Sequence, residues 1–329
     1  MSAAVDAVYL DAWLAPFASL LADPTVTDIV INRPGELWVD RLGRAPVCEP
    51  APDLSSRALE RLSRQIAAAS HQAINRGAPL LSASLPGGER VQIVGPPATR
   101  DGTIVAIRKQ VLLNQSLADY AVQGSFAGSP SQTKDDAALR ALAGPGRQHD
   151  FLALAVRQRR NILVSGGTST GKTTFLNALL KEVPDDERLV VIEDTPELIV
   201  PQPNAALLLA RRSPLGEAEV SADDLLSAAL RLRPDRIILG EIRGPEAFTF
   251  LRAVNTGHPG SMTTVHADTP DRAVEQLALL VLQAGSRLSR EDVRSYVEGI
   301  VDVYVQLARF DGRRVVSEVR LAQRFARAA

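Results

Sequence analysis

The first apolar positions of the chain, Leu10, Trp13, Leu14, Phe17, Leu20 and Leu21, recur at spacings of three and four. That period puts them on one face of a helix. Lys and Arg are absent from its polar face, which favours packing against the protein's own core over lying on a membrane. The period then changes. Residues 28–33 and 36–40 read as two strands about a Pro34-Gly35 turn, a hairpin. A helix is predicted from Ser55 as N-cap to Gly77 as stop, with Leu59, Leu62, Ile66, Ala69 and Ala73 on its apolar face. Strands at 90–94 and 104–109, joined by a Pro- and Gly-rich loop, complete a smaller α+β unit over residues 1–113.

Residues 124–134 are small, polar and rich in Gly and Pro, a composition that forms no core and reads as a flexible linker. A short helix at 137–143 is broken by Gly144-Pro145-Gly146, and the whole connecting stretch is taken as 114–150. From Phe151 onward, continuous apolar runs at 161–165, 189–193 and 236–240 alternate with helical segments such as 172–181. Strands without polar alternation are buried on both faces, so residues 151–329 are expected to form an α/β domain with helices covering both sides of its sheet. Near the end, Asp311-Gly312 separates two β-rich runs, 301–310 and 313–321, a strong hairpin signal.

Composition changes this picture little. In 329 residues, 45% are hydrophobic and 23% charged, as in ordinary globular proteins. The net charge of -1 lacks the basic excess of a dedicated nucleic-acid binder, so no stable nucleic-acid binding is expected. Basic charge is nearly all arginine, since Lys109, Lys134, Lys172 and Lys181 are the only lysines. Cys48 is the single cysteine, which excludes an internal disulfide and a cysteine-rich zinc site. No Lys or Arg precedes Arg33, so the positive region of a secretory signal is lacking, and no apolar run reaches the ~18 residues needed to span a bilayer. The chain reads as cytoplasmic, free or peripherally attached.

The chemistry centres on Gly166-Gly167-Thr168-Ser169-Thr170-Gly171-Lys172-Thr173, which matches the P-loop pattern between a predicted strand and a predicted helix. Glycines let backbone N–H groups turn toward phosphates, and the helix N-terminus adds partial positive charge. Lys172 is expected to reach the β- and γ-phosphates, Thr173 to offer its hydroxyl to Mg²⁺, and Thr174 to extend the cradle. Residues 237–241 form a candidate Walker B strand. Gly240 fills the usual aspartate position, so Glu241 must act. Glu193, Asp194 and Glu197 follow another buried strand, and one of them is a reasonable general base for an attacking water. His258 and His266 lie in a further Gly-, Thr- and His-rich stretch.

Together these blocks resemble, in order, the Walker A motif, aspartate box (192–197), Walker B region (231–243) and histidine box (257–267) of the secretion-ATPase superfamily, the hexameric motors of type II secretion, type IV secretion and type IV pili. The N-terminal runs Thr27-Asp-Ile-Val-Ile-Asn-Arg-Pro-Gly-Glu-Leu-Trp-Val and Gly88-Glu-Arg-Val-Gln-Ile-Val-Gly-Pro-Pro are similar to the VirB11 branch of type IV secretion. A lone Cys48 is unlike the four-cysteine element of type II members. The resemblance implies a RecA-like P-loop domain, ATP with Mg²⁺, a homohexamer, and partners in an inner-membrane secretion apparatus to which the chain attaches peripherally. It also implies residue roles: Glu197 as base, Glu241 ordering Mg²⁺ through water, His266 sensing the γ-phosphate, and Arg90 and Arg108 reaching phosphate from the N-terminal domain. Arg211, Arg212 and Arg243 are weaker candidates for contacts between subunits. A nucleic-acid-dependent motor, a conjugation or pilus ATPase of the same superfamily, and a nonhydrolytic nucleotide-gated platform are the alternative readings.

Overall fold

The structure, a computed structural model, describes residues 10, 12–111, 116–122, 136–144, 146–212 and 217–325. Its strands in chain order are β1 (Val26–Ile31), β2 (Gly35–Arg41), β3 (Val47–Ala51), β4 (Leu80–Ser84), β5 (Arg90–Val94), β6 (Ile104–Arg108), β7 (Ile162–Gly166), β8 (Leu189–Glu193) and β9 (Ala205–Leu209). They continue as β10 (Arg211–Arg212), β11 (Glu219–Val220), β12 (Arg236–Ile242), β13 (Met262–Val265), β14 (Val303–Phe310) and β15 (Arg313–Leu321). The architecture is mixed α/β, as the sequence pattern implied. Two compact units result: Met1–Val111 with Asp185–Gly240, and Leu112–Pro184 with Glu241–Ala329.

In the first unit, six antiparallel strands form a sheet in the order β3-β2-β1-β6-β5-β4. Alternating residues supply one apolar face. Ile29, Ile31, Val39, Ile93, Val105 and Ile107 pack in one core with Leu59, Leu62 and Ile66 and with Leu10, Leu14 and Phe17. The amphipathic N-terminal segment therefore covers its own unit. It is not one helix: a 3-10 turn at Ala15–Phe17 precedes the helix Ala18–Ala22, because Pro16 brings no N–H to the helical ladder. Ser55 caps the next helix, accepting from the Ala58 N–H at 3.3 Å. That helix, Ser56–Ala69, ends well before the predicted Gly77. The Ser70 hydroxyl donates to the Ile66 and Ala67 carbonyls, and His71 turns into the left-handed region at φ 54°.

The same unit contains a parallel trio, with β8 between β9 and β12. Residues 98–100 bond to β9: the Leu209 N–H donates to Ala98 O at 2.9 Å, and the Arg100 N–H donates to Leu207 O at 3.1 Å. A buried polar cluster joins the same regions. Asn32 Nδ2 donates to Asn204 Oδ1 at 3.0 Å, and Arg188 Nη1 donates to Asn32 Oδ1 at 2.8 Å and to Asn204 Oδ1. Burial pushes the Arg188 guanidinium down to about 10, so it stays charged at neutral pH. Beside it, the fully buried Arg236 grips both oxygens of Glu187 at 2.6 Å each.

In the second unit, β13, β7 and β14 are parallel and β15 runs antiparallel along β14. The Asp311-Gly312 turn has positive φ at both residues, 47° and 76°, as a mirror-image hairpin turn requires. Ahead of this unit's sheet lie helices Asp136–Leu142 and Gln148–Arg157. The linker read at 124–134 falls outside the described residues. Among those described, no helix is long and apolar enough to cross a membrane.

Glu187→Ala would remove both charge-assisted bonds from a guanidinium with no exposure to water, and such losses cost about 3–5 kcal/mol. Denaturant unfolding should show this as a lower midpoint. A drop below about 1 kcal/mol would show that water or another group replaces the carboxylate.

Candidate active site

Strand β7 ends at Gly166, and the helix Lys172–Leu180 begins six residues later. Side-chain size is constrained at the first glycine. A Cβ on Gly166 would lie 2.5 Å from Thr170 Oγ1 and 3.0 Å from the Leu307 carbonyl. Ser169 and Gly171 both take left-handed backbone, φ 61° and 92°, and the Thr170 hydroxyl closes the loop by donating to Gly167 O at 2.8 Å. Thr168, Thr173 and Thr174 complete the loop and the first turn of the helix.

Register brings other groups to this loop. In β13, Val265 pairs with Ser165, so His266 emerges beside Gly166. Lys172 is buried, and its Nζ donates to Gly166 O at 3.1 Å and Gly167 O at 3.4 Å. Nζ also lies 3.3 Å from each ring nitrogen of His266 and 3.5 Å from Glu241 Oε1. His266 Nε2 is 2.8 Å from that same oxygen, close but without hydrogen-bond alignment. Arg243 Nε donates to Glu241 Oε2 at 2.5 Å. One carboxylate thus faces an ammonium, a guanidinium and an imidazole. Burial pushes the Lys172 ammonium below its ordinary range, and the Glu241 charge acts in the opposite direction. His258 is elsewhere, with Nδ1 2.8 Å from Ala253 O.

A hard cation fits the oxygen donors here. Glu241 Oε1 is a buried carboxylate oxygen without an aligned hydrogen bond, and the Thr173 hydroxyl belongs to the adjacent loop. Mg²⁺ typically takes one or two protein ligands beside phosphates and water. Among the described residues, no group of three or more acidic, His or Cys side chains is placed to hold a metal ion by itself.

The first unit holds the other candidates. Glu193 is buried, and its Oε1 accepts the N–H groups of Glu197 at 2.9 Å and Leu198 at 2.8 Å. Its Oε2 pairs with Arg100, whose Nη1 donates to Leu198 O at 2.9 Å. Glu193 therefore shapes the loop on which the exposed Glu197 stands. A Cβ at Gly240 would lie 3.3 Å from Glu193 Cγ, so a glycine there relieves crowding against β8. Arg90 and Arg108 are cross-strand partners and line a cavity of about 530 Å³ with Arg231 and Arg233. The sequence reading missed Arg100 and the Arg231–Arg233 contribution, since their partners lie far away in the chain. Arg211 donates from Nε to Pro97 O at 2.9 Å. The side chain of Arg212 lies outside the described residues.

A P-loop with a carboxylate and a histidine at the ends of parallel strands defines a nucleotide-hydrolysing class of site. The chain belongs to the Type II/IV secretion system protein family, whose family model matches residues 12–318, and its enzymatic class is that of the VirB11-type secretion ATPases. It is 41% identical over 325 residues to the type IV secretion system protein VirB11 of Bartonella henselae, covering 93% of this chain and 91% of that protein. It is also 41% identical over 310 residues to the type IV secretion system protein PtlH of Bordetella pertussis, covering 90% of each. Among solved structures, the Brucella suis VirB11 ATPase in complex with sulphate superposes with a TM-score of 0.91 at 38% identity, covering 99% of this chain and 98% of that one. The expectation of a VirB11-like α/β ATPase is borne out.

On the expectation that Glu197 is the base, Glu193→Ala should leave nucleotide affinity close to wild type and lower ATP turnover about tenfold to hundredfold, because displacement of that side chain is felt in kcat. Steady-state kinetics decides this. A change in KM alone would mean that Glu193 does not position the loop.

Proposed function

We propose that this chain is a Mg²⁺-dependent ATP-hydrolysing motor that works as a homohexamer and powers type IV secretion, in substrate translocation or pilus biogenesis. The observation that carries this reading is the convergence of Lys172, Glu241 and His266 on the Gly166–Thr173 loop within one unit. Functionally we divide the chain into an N-terminal domain (1–113), a linker (114–150) and an ATPase domain (151–329). The motor acts at the cytoplasmic face of the inner membrane, attached peripherally through partner components of the apparatus.

Backbone N–H groups of Gly167 to Thr174 cradle the phosphates, and Lys172 neutralises charge on the β- and γ-phosphates. The Thr173 hydroxyl and the Glu241 carboxylate would hold Mg²⁺, which would supply charge neutralisation for the phosphates. Glu197 accepts a proton from the attacking water as its oxygen bonds to the γ-phosphorus and ADP departs. His266 reports whether a γ-phosphate is bound. Arg90 and Arg108 grip the triphosphate and release as it becomes ADP, which moves the N-terminal domain.

The test is steady-state ATPase activity of wild type, Glu197→Gln and Lys172→Ala, with and without DNA and with chelator, alongside mass by light scattering. Loss of a general base lowers turnover about 100-fold or more. Mg²⁺-dependent hydrolysis in a sixfold assembly, lost in both variants and indifferent to DNA, supports the secretion motor. Strong stimulation by DNA would favour a nucleic-acid-dependent motor. Nucleotide binding without turnover would favour a gated platform.

A further inference from the structure

Strand β14 pairs with β7 as far as Leu307 opposite Gly166, then continues to Phe310. Its last residues therefore run beyond the end of β7, alongside the loop that Gly166 opens. After the Asp311-Gly312 turn, β15 returns with Arg314 directly across from Arg309. The hairpin thus carries arginines to the phosphate loop, and Arg314 reaches it. A Cβ built on Gly171 would lie 3.0 Å from Arg314 Cδ, 3.5 Å from Nε and 3.6 Å from Nη1.

This is an unfavourable place for a cation. Gly171 is the N-cap of the Lys172–Leu180 helix, the positive end of its dipole. Lys172 adds a charge one residue on, and Arg309 adds a like charge across the strand pair, which destabilises such a pair. Within the described residues, the side chain of neither Arg309 nor Arg314 makes a hydrogen bond or an ion pair. Glu241, the carboxylate of this site, is engaged by Lys172, His266 and Arg243. A polyanion at the loop turns each of these unfavourable terms into a favourable one.

We propose that Arg314 is a nucleotide-positioning residue, delivered by the C-terminal hairpin to hold the α- and β-phosphates. Lys172, Glu241 and His266, which touch one another and not Arg314, attend the γ-phosphate end. The inference rests on the phosphate-loop reading above. The left-handed backbone at position 171 favours glycine, and a Cβ there would require the Arg314 side chain to give by a few tenths of an ångström.

Calorimetric titration with ADP and with the nonhydrolysable analogue AMP-PNP, both with Mg²⁺, tests it on wild type, Arg314→Ala, Arg314→Lys, Arg313→Ala and Lys172→Ala. Losing a charge-assisted contact should weaken Arg314→Ala for both nucleotides by about ten- to hundredfold and to a similar extent, with Arg314→Lys intermediate and Arg313→Ala near wild type. Unchanged affinity in Arg314→Ala, with wild type and Lys172→Ala differing as the P-loop requires, would overturn the inference alone. So would a loss confined to AMP-PNP, which would place the arginine at the γ-phosphate. Absence of binding by wild type would instead remove the phosphate-loop reading itself.

Discussion

Lys172 is an ammonium taken out of water, and the second unit is arranged around keeping it charged. Burial alone drives it toward the neutral form. Two loop carbonyls and the Glu241 carboxylate oppose that drive. Supplying them demands that several chain segments end at one place. Parallel strands do this as a matter of geometry, because each delivers its following loop to the same edge of the sheet. The Val265–Ser165 register sets His266 beside Gly166, and the Leu307–Gly166 register carries the C-terminal hairpin alongside. A slip of one residue in either pairing would turn the emerging side chain to the opposite face.

The first unit solves a different problem, which is to join a six-stranded antiparallel sheet to the residues 185–240 that lie far away in sequence. Apolar contact is supplemented by buried polar bonds that tolerate little misalignment. Asn32, Asn204 and Arg188 form one such set, and Arg100 with Glu193 forms another. Residues 98–100 also bond to the backbone of β9. The loop that bears Glu197 is consequently tied to the segment leading into β6 through a single arginine. Contacts therefore run without a break from the segment leading into β6 to the loop that bears Glu197.

How much of this was legible in advance depends on whether the determinant was local. The P-loop, the Asp-Gly hairpin and the Ser55 cap depend on a few consecutive residues, and each was read correctly. The stop of the Ser56–Ala69 helix was missed because Ser70 bonds backward to Ile66 and Ala67, whereas Gly77 is the more conspicuous breaker. Strand β3 escaped because it is short and largely exposed, carries Pro50, and lacks the alternation that marks a half-buried strand. Arg100 could not be paired with Glu193 from sequence, since 93 residues separate them.

The aspartate box shows how position in space divides labour that sequence leaves shared. Glu193, Asp194 and Glu197 are equivalent as residue types, and any of them could be a base. Glu193 is committed on both oxygens, to two backbone N–H groups and to a guanidinium, so a proton arriving there would displace an interaction on which the loop depends. Glu197 stands at the far end of the same loop, exposed, with its backbone held by Glu193. The buried acid fixes the backbone of the loop and the exposed one projects from it, so two residues of the same type do different structural work.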